Sequence, residues 1–250
     1  MEINLKEDER IDDLEYKGLK IIQNKNWFCF GIDSVLLSDF AKNMKNNSSV
    51  LDLGTGTGII SLLLCKKTNL KEIVGIEIQS DVAEMASRSI KLNDLEDRFK
   101  IINDNVKNLE KHFSKGSFDV VVTNPPYKKE NSGIINDSDN KIISRHEITA
   151  NLEDFIHNAS IMLKDNGAMY MVHKPERLCD IICLMRKHKL EPKELKFVYS
   201  NMNSEPSLVL IKGCKNGHPF LKINKPLIVY KEDGNYTNDI LKIYGKDGEL

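Results

Sequence analysis

The chain has 250 residues, of which 40% are hydrophobic and 29% are charged, and its formal net charge is −1. This composition is typical of a globular protein that can bury a sizeable core. No apolar run is long enough to span a bilayer, the acidic, polar N-terminus is not a secretory signal, and five scattered cysteines do not form a disulfide framework. We therefore expect a single domain over 1–250, a cytoplasmic location and a monomer without a metal site or membrane contact.

Charge is unevenly distributed along the chain. Residues 164–225 hold 12 Lys or Arg against 6 Asp or Glu, so the rest of the chain is acidic. A basic half facing an acidic half fits contact with an RNA backbone, although solvated lysines on surface helices explain the excess equally well.

The first 47 residues are predicted to form an extension that packs on the core. Residues 1–15 are charge-rich and are expected to be frayed. Two short strands are predicted at 19–23 and 27–30, around the turn Asn24-Lys25-Asn26. Asp33 or Ser34 can then cap a helix that runs to Ala41.

From residue 50 onward, strands and helices alternate. This pattern predicts a mostly parallel sheet with helices on both faces, and the last two strands are too close for a crossover helix and should pair antiparallel. The polar stretch over 128–145 reads as a long loop. The predicted strands are 50–53, 72–78, 99–103, 118–123, 167–172, 197–200 and 207–211, and the helices are 59–67, 81–93, 152–163 and 177–188.

A glycine-rich turn follows the first of these strands. The strand ends at Leu53 and runs directly into Gly54-Thr55-Gly56-Thr57-Gly58, and a helix comes next. Such a turn lets a nucleotide-type ligand approach the backbone closely. The glycines alternate strictly, unlike the G-x-x-G ending of the dinucleotide fingerprint.

Acidic residues near this turn narrow the choice of cofactor. Asp52 would repel a pyrophosphate but suits a cationic amino group, and Glu77, at the end of the second strand, can accept from both ribose hydroxyls. Asp104 follows the third strand and is placed to bind an adenine amino group, which Ile78 and Val106 could flank. These residues together predict a ligand with an adenosyl group and an amino acid group but no phosphate, and S-adenosylmethionine is such a ligand. The cofactor-binding residues predicted here are Asp52, Gly54, Thr55, Gly56, Gly58, Glu77, Ile78, Asp104, Asn105 and Val106.

The tetrapeptide Asn124-Pro125-Pro126-Tyr127 follows the fourth strand and is the most specific feature of the chain. The Asn124 side-chain oxygen and the Pro125 carbonyl can both accept from one amino group, and Tyr127 offers a flat face for a base. An exocyclic amine is a poor nucleophile because its lone pair is delocalised, and two acceptors on its hydrogens free that lone pair. We predict that these four residues are catalytic and that Asn124 also contacts the cofactor.

Together these motifs resemble the class I, Rossmann-like amino-methyltransferases over residues 28–211. That family has a seven-stranded sheet whose last strand is antiparallel. The segments Phe28-Cys29-Phe30-Gly31-Ile32-Asp33 and Arg145-His146-Glu147 are similar to the bacterial methyltransferases that modify N6 of the adenine beside the anticodon of a valine tRNA. The resemblance implies a tRNA substrate, with Phe30 and Asp33 lining the cofactor pocket and Arg145 and His146 near the substrate.

Other targets and other classes of protein remain open. Enzymes with this tetrapeptide also act on DNA adenine, ribosomal RNA guanine or a protein glutamine amide. DNA enzymes normally carry a separate recognition domain, and the glutamine enzymes usually have a helical N-terminal domain. A nicotinamide-dependent oxidoreductase is disfavoured by the glycine spacing and Asp52, and a non-catalytic cofactor-binding module is a further alternative. Trp27, Phe28 and Tyr127 are candidates for base stacking, although Trp27 and Phe28 also suit core packing.

Overall fold

The computed structural model describes residues 4–27, 29–127 and 150–246. Phe28, Arg145, His146 and the predicted loop over 128–145 lie outside the described residues. The helices and strands in chain order are β1 Glu9–Asp13, β2 Lys20–Asn24, α1 Ile32–Ala41, β3 Ser49–Leu53, α2 Ile59–Lys67, β4 Glu72–Glu77, α3 Ser80–Leu92, β5 Phe99–Asn103, β6 Phe118–Thr123, α4 Leu152–Met162, β7 Leu163–His173, α5 Leu178–Lys187, β8 Leu190–Tyr199, β9 Pro206–Lys215, β10 Lys222–Ile223, β11 Leu227–Ile228 and α6 Asn238–Ile243.

A mostly parallel sheet forms the centre of the molecule. Its strand order is β10-β8-β9-β7-β6-β3-β4-β5, and β11 also pairs with β8. The five strands β5, β4, β3, β6 and β7 are all mutually parallel. Because the carboxyl ends of parallel strands meet at one edge, the segments that follow β3, β4, β5, β6 and β7 all lie along that edge.

Helices cover both faces of this sheet, so its central strands are apolar throughout. All five residues of β3 are buried. Successive residues of a strand point to opposite faces, and Val50 accordingly joins the core cluster that includes α1 and α2, whereas Leu51 joins the cluster that includes α4 and α5. Each fully buried aliphatic side chain of this kind stabilises the fold by about 1.5–3 kcal/mol. Among the described residues, no helix is both long and apolar enough to cross a membrane.

The described sheet has nine strands, so the expected number of seven was too low. The two additional strands, β10 and β11, have two residues each and run parallel to β8. Segments of two residues are too short for periodicity to predict. The predicted antiparallel pairing of the last two strands is confirmed for β8 and β9, and β9 is also antiparallel to β7.

The N-terminal segment differs from the prediction. The partner of β2 is β1, with Ile11 opposite Ile22, whereas Trp27, Cys29 and Phe30 are not in a strand. The charges that suggested a frayed end instead hold β1 in place, because both terminal guanidinium nitrogens of Arg88 on α3 lie 2.6 Å from the Glu9 carboxylate. Such bidentate, charge-assisted bonds are stronger than neutral ones.

The N-cap of helix α1 lies two residues before Asp33, the first of the two expected caps. This N-cap is Gly31, without a side-chain hydrogen bond, and neither Asp33 nor Ser34 caps the helix. Sequence alone offered Asp33 or Ser34 because both residue types are common caps, but the Asp33 carboxylate instead accepts from Asn124, in the segment after β6.

Residues beyond β9 form a C-terminal segment that the sequence did not predict. Ile240 of α6 is fully buried, and the Ile243 carbonyl accepts from Lys67 Nζ at 3.1 Å. The Lys67 ammonium also lies 4.9 Å from the centre of the Tyr16 ring. This segment therefore joins the end of α2 to the N-terminal hairpin.

Candidate active site

The glycine turn after β3 is open toward solvent at one position. Gly54, Gly56 and Gly58 all have left-handed backbone conformations, with φ of +70°, +58° and +88°. A Cβ at Gly54 would lie 3.2 Å from Phe155, and one at Gly58 would lie 3.3 Å from Phe99. A Cβ at Gly56 would have no heavy atom within 4 Å, so a ligand can approach the backbone there.

Asp52 is a buried carboxylate with one oxygen free. Its Oδ2 accepts from Thr55 Oγ1 and Ser61 Oγ, both at 2.7 Å, but its Oδ1 has no hydrogen-bond partner among the described residues. Burial raises the pKa of Asp52 to about 6. An unpaired buried carboxylate is costly unless a cation or donor reaches it. The site therefore fits a ligand with a positively charged amino group, such as S-adenosylmethionine.

Glu77 connects the glycine turn to the end of β4. Its Oε2 accepts from the Gly56 N–H at 3.0 Å and its Oε1 from the Gln79 N–H at 2.9 Å. The Asn103 amide donates to the carbonyls of Glu77 and the half-buried Ile78 at 2.7 and 3.0 Å, which ties β5 to this corner. Sequence reasoning missed Asn103, although its position as the last residue of β5 was a usable signal.

Asp104 is surrounded by donors from its own segment. Its Oδ1 accepts from the Asn105 N–H and the Asn108 amide, and its Oδ2 lies 2.7 Å from His112 Nε2. The hydrogen bonds from Asn108 and then His112 hold the pKa of Asp104 at about 2. The carboxylate is thus fixed and ionised at the sheet edge, where it stays a predicted partner of the adenine amino group. Asn108 and His112 were not predicted.

Asn105 and Val106 begin the 3₁₀ segment Val106–Lys111 that follows β5. The Asn105 side chain caps this segment by accepting from the Lys107 N–H at 2.9 Å. Val106 is 6% exposed and packs in the core cluster that includes α4. Their predicted contacts with the cofactor stay predictions.

The tetrapeptide begins beside the glycine turn. Leu53 of β3 pairs with Thr123 of β6, and Thr123 Oγ1 donates to the Leu53 carbonyl at 2.9 Å. The next residues, Gly54 and Asn124, therefore leave the sheet on neighbouring strands, which are about 4.8 Å apart. The cofactor loop and the tetrapeptide are thus adjacent.

Asp33 holds the side chain of Asn124. The Asn124 Nδ2 donates to Asp33 Oδ2 at 3.0 Å. The Tyr127 hydroxyl lies 2.6 Å from the same Asp33 oxygen and 2.7 Å from Asn124 Oδ1. Resemblance placed Asp33 at the cofactor pocket, and the structure joins it to the tetrapeptide.

The ring of Tyr127 packs against the last residue of β7 and the residue that follows it. It makes an edge contact with His173, with ring centres 5.2 Å apart, and Lys174 Nζ lies 5.6 Å from its centre. Burial and the charge of Asp33 raise the pKa of Tyr127, so its hydroxyl stays protonated. Sequence reasoning missed His173, a polar residue at the carboxyl end of a strand.

The remaining aromatic candidates lie near α1. Phe30 is half-buried against the core, and its N–H donates to Gln23 Oε1 at 3.1 Å. Trp27 is also half-buried. Phe28, Arg145 and His146 are outside the described residues. Among the predicted residues that the structure describes, hydrogen bonds join Asp52 with Thr55, Gly56 with Glu77, and Asp33 with Asn124 and Tyr127.

Cofactor affinity should fall in mildly acidic solution. The pKa of Asp52 is raised to about 6, so its charge is lost as the pH falls below that value. A bound cation needs the ionised form, and S-adenosylmethionine should therefore bind up to about tenfold more weakly per pH unit below 6. Calorimetric titrations at pH 5, 6, 7 and 8 measure this, with circular dichroism as the control for folding. Equal affinities at pH 5 and pH 7 would contradict the role of Asp52.

Comparisons with known proteins agree with this geometry. The family model described as the methyltransferase small domain matches residues 20–188. A Porphyromonas gingivalis relative named tRNA1(Val) (adenine(37)-N6)-methyltransferase is 30% identical over 242 residues, with 93% of each chain covered.

Two crystal structures show the same fold. A predicted O-methyltransferase from Agrobacterium tumefaciens has a TM-score of 0.70 at 19% identity, covering 86% of this chain and 96% of that one. Geranyl diphosphate C-methyltransferase from Streptomyces coelicolor, in complex with S-adenosyl-L-homocysteine, has a TM-score of 0.54 at 12% identity, covering 73% and 79%. The chain therefore belongs to the methyltransferase small domain family, and it is an S-adenosylmethionine-dependent methyltransferase.

Proposed function

We propose that this protein methylates the exocyclic N6 amino group of an adenine in tRNA. The observation that carries the proposal is the adjacency of the glycine turn and Asn124, on neighbouring parallel strands. The name of the P. gingivalis relative, which matches nearly the whole chain, supports tRNA adenine over DNA, ribosomal RNA or protein.

The tetrapeptide suits an amine whose lone pair is delocalised into a ring. Asn124 Oδ1 and the Pro125 carbonyl accept its two hydrogens and favour a tetrahedral nitrogen. When bound, S-adenosylmethionine supplies a methyl group attached to a positively charged sulfur. The two acceptors bind more strongly as positive charge grows on nitrogen, so they stabilise the transition state more than the ground state.

Asp33 prepares this pair of acceptors before substrate arrives. By accepting from Asn124 Nδ2, it fixes the amide plane and leaves the carbonyl oxygen for the substrate. The Tyr127 hydroxyl has one proton to give, and the charged Asp33 is a stronger acceptor than the neutral Asn124. Substrate can therefore take over Asn124 Oδ1 without breaking the Asp33–Tyr127 bond.

We further propose that the target is the adenine beside the anticodon of a valine tRNA. The relative's name specifies this position. An anticodon loop already presents unstacked bases, so the enzyme spends little free energy on extracting one. The basic excess over 164–225 favours contact with the RNA backbone.

The experiment uses methyl-labelled S-adenosylmethionine with separate pools of tRNA, ribosomal RNA, DNA and protein. We expect label in tRNA, and nuclease digestion with mass spectrometry should identify N6-methyladenosine. Unmodified valine tRNA should be labelled in preference to the same tRNA with guanosine at the target position. Label confined to another pool, or found on another base, would refute the proposal.

Tyr127 is expected to act through its ring more than through its hydroxyl. Tyr127→Ala should lower kcat/KM by about 10- to 100-fold, since stacking of a base on an aromatic ring contributes about 1–3 kcal/mol. Tyr127→Phe is the matched control and should stay within about fivefold of wild type, because it keeps the ring. Steady-state assays on tRNA measure both, and an equal loss in the two variants would assign the role to the hydroxyl.

A further inference from the structure

His173 is a buried histidine beside the tetrapeptide with no established role. It is the last residue of β7, the strand next to β6, and it is fully buried. Thr123 pairs with Met171, so His173 lies level with the tetrapeptide, two residues beyond this pair.

One ring nitrogen of His173 is a donor with nothing to bind. Its Nδ1 accepts from the Lys174 N–H at 2.7 Å, which places the proton of the neutral ring on Nε2. Burial lowers the pKa of His173 to about 4, so the ring is neutral near pH 7. Among the described residues, His173 Nε2 and Asp52 Oδ1 are the buried side-chain polar atoms without a hydrogen-bond partner.

These two atoms belong to residues near the carboxyl ends of two parallel strands, Asp52 in β3 and His173 in β7, so both lie at the same edge of the sheet. A buried donor left unpaired destabilises a fold, and a ligand that supplies the missing acceptor removes that cost. Asp52 is matched by a cationic cofactor, whereas an N–H donor near the tetrapeptide needs an acceptor on the substrate.

Tyr127 contacts both His173 and the acceptor that the amine requires. Its ring touches the imidazole, and its hydroxyl lies 2.7 Å from Asn124 Oδ1, the oxygen that the amine requires. A base whose amino group takes over Asn124 Oδ1 therefore lies against Tyr127, close to the imidazole that the Tyr127 ring contacts.

We propose that His173 Nε2–H donates to a ring nitrogen of the target adenine and so helps to select adenine. This inference rests on the proposed function. Adenine carries acceptors on both sides of its amino group, N1 and N7, whereas the amino group of guanine has the N1–H donor on one side and the N3 acceptor on the other. A donor at this place therefore meets an acceptor in adenine, and it opposes the N1–H of guanine when that side of the base faces the imidazole.

The test combines altered RNA with altered protein. Synthetic valine anticodon stem-loops carry adenosine, 1-deazaadenosine or 7-deazaadenosine at the target position, and wild type is compared with His173→Phe and His173→Gln. Wild type should lose about tenfold or more in kcat/KM on one of the two analogues. His173→Phe should lose a similar factor on adenosine and nothing further on that analogue, while His173→Gln, which keeps an N–H donor, should recover part of the activity.

Several outcomes would overturn the inference. If the kcat/KM of wild type on both analogues is within twofold of its value on adenosine, His173 makes no hydrogen bond to a ring nitrogen of the base. If His173→Phe lowers kcat/KM by the same factor on adenosine and on each analogue, the two changes act independently. The losses on the analogues then come from the chemistry of the base and not from a lost hydrogen bond to His173. Calorimetry with S-adenosylmethionine verifies folding, and His173→Leu provides a second variant without the donor should the Phe side chain not fit. If wild type methylates no adenosine stem-loop or tRNA, it is the proposed function that fails.

Discussion

Asn124→Ala should lower kcat by about 10²-fold or more while S-adenosylmethionine affinity stays within a few-fold of wild type. The variant removes one of two acceptors that bind the amine most strongly when charge develops on nitrogen, and a lost transition-state hydrogen bond of this kind costs about 3 kcal/mol or more. The cofactor loop is anchored separately, through Asp52 and Glu77. Single-turnover methylation of tRNA measures the chemical step, and calorimetry measures binding.

A matched control is available on α4. Asn158→Ala makes the same chemical change at a buried residue whose amide donates to the Asp154 carbonyl at 2.8 Å, away from the tetrapeptide. We expect it to lower the free energy of unfolding by about 1 kcal/mol and to leave kcat unchanged. Unchanged turnover in Asn124→Ala, or an equal loss in both variants, would remove Asn124 from the mechanism.

The central α/β region could be predicted from the sequence because its signals are strong and local. The helix 59–67 and the strands 99–103 and 118–123 agree with the structure at both ends, since each is an apolar run bounded by glycine, charged or polar residues. Strand β1 could not be predicted. Its sequence, Glu-Arg-Ile-Asp-Asp, has one apolar residue and no apolar alternation, and its anchor, the ion pair of Glu9 with Arg88, joins residues 79 apart in the chain.

The candidate site was predictable in its residue types but not in its connections. Glycine spacing and the tetrapeptide pointed to the cofactor loop and to Asn124. The contact of Asp33 with Asn124 spans 91 residues and depends on how α1 packs beside β6. His173 gave no signal because a histidine after an apolar strand is more often a satisfied core residue, and only its unpaired nitrogen distinguishes it.

Asp52→Ala should weaken S-adenosylmethionine binding by about 10²-fold or more. Removing one partner of a buried charge pair costs about 3–5 kcal/mol, and the variant also releases the hydroxyls of Thr55 and Ser61 that shape the loop. Calorimetry measures the dissociation constant. Affinity within threefold of wild type would mean that the cationic end of the cofactor binds elsewhere.

Asp52→Asn separates the charge from the shape of the loop, because it keeps the size and the hydrogen bonds of the side chain. A buried carboxyl whose pKa is raised to about 6 makes the folded protein less stable above that pH than a neutral group would. The melting temperature of Asp52→Asn at pH 7 should therefore equal or exceed that of wild type, while its cofactor affinity falls at least tenfold. Asp119→Asn, at a half-buried aspartate that accepts from Lys164 and the Ser49 N–H, is the control for the substitution and should retain full affinity. A buried charge that serves only the ligand destabilises the ligand-free protein, so its removal should not lower the melting temperature. A lower melting temperature in Asp52→Asn, with affinity retained, would therefore mean that Asp52 stabilises the loop and does not bind the cofactor.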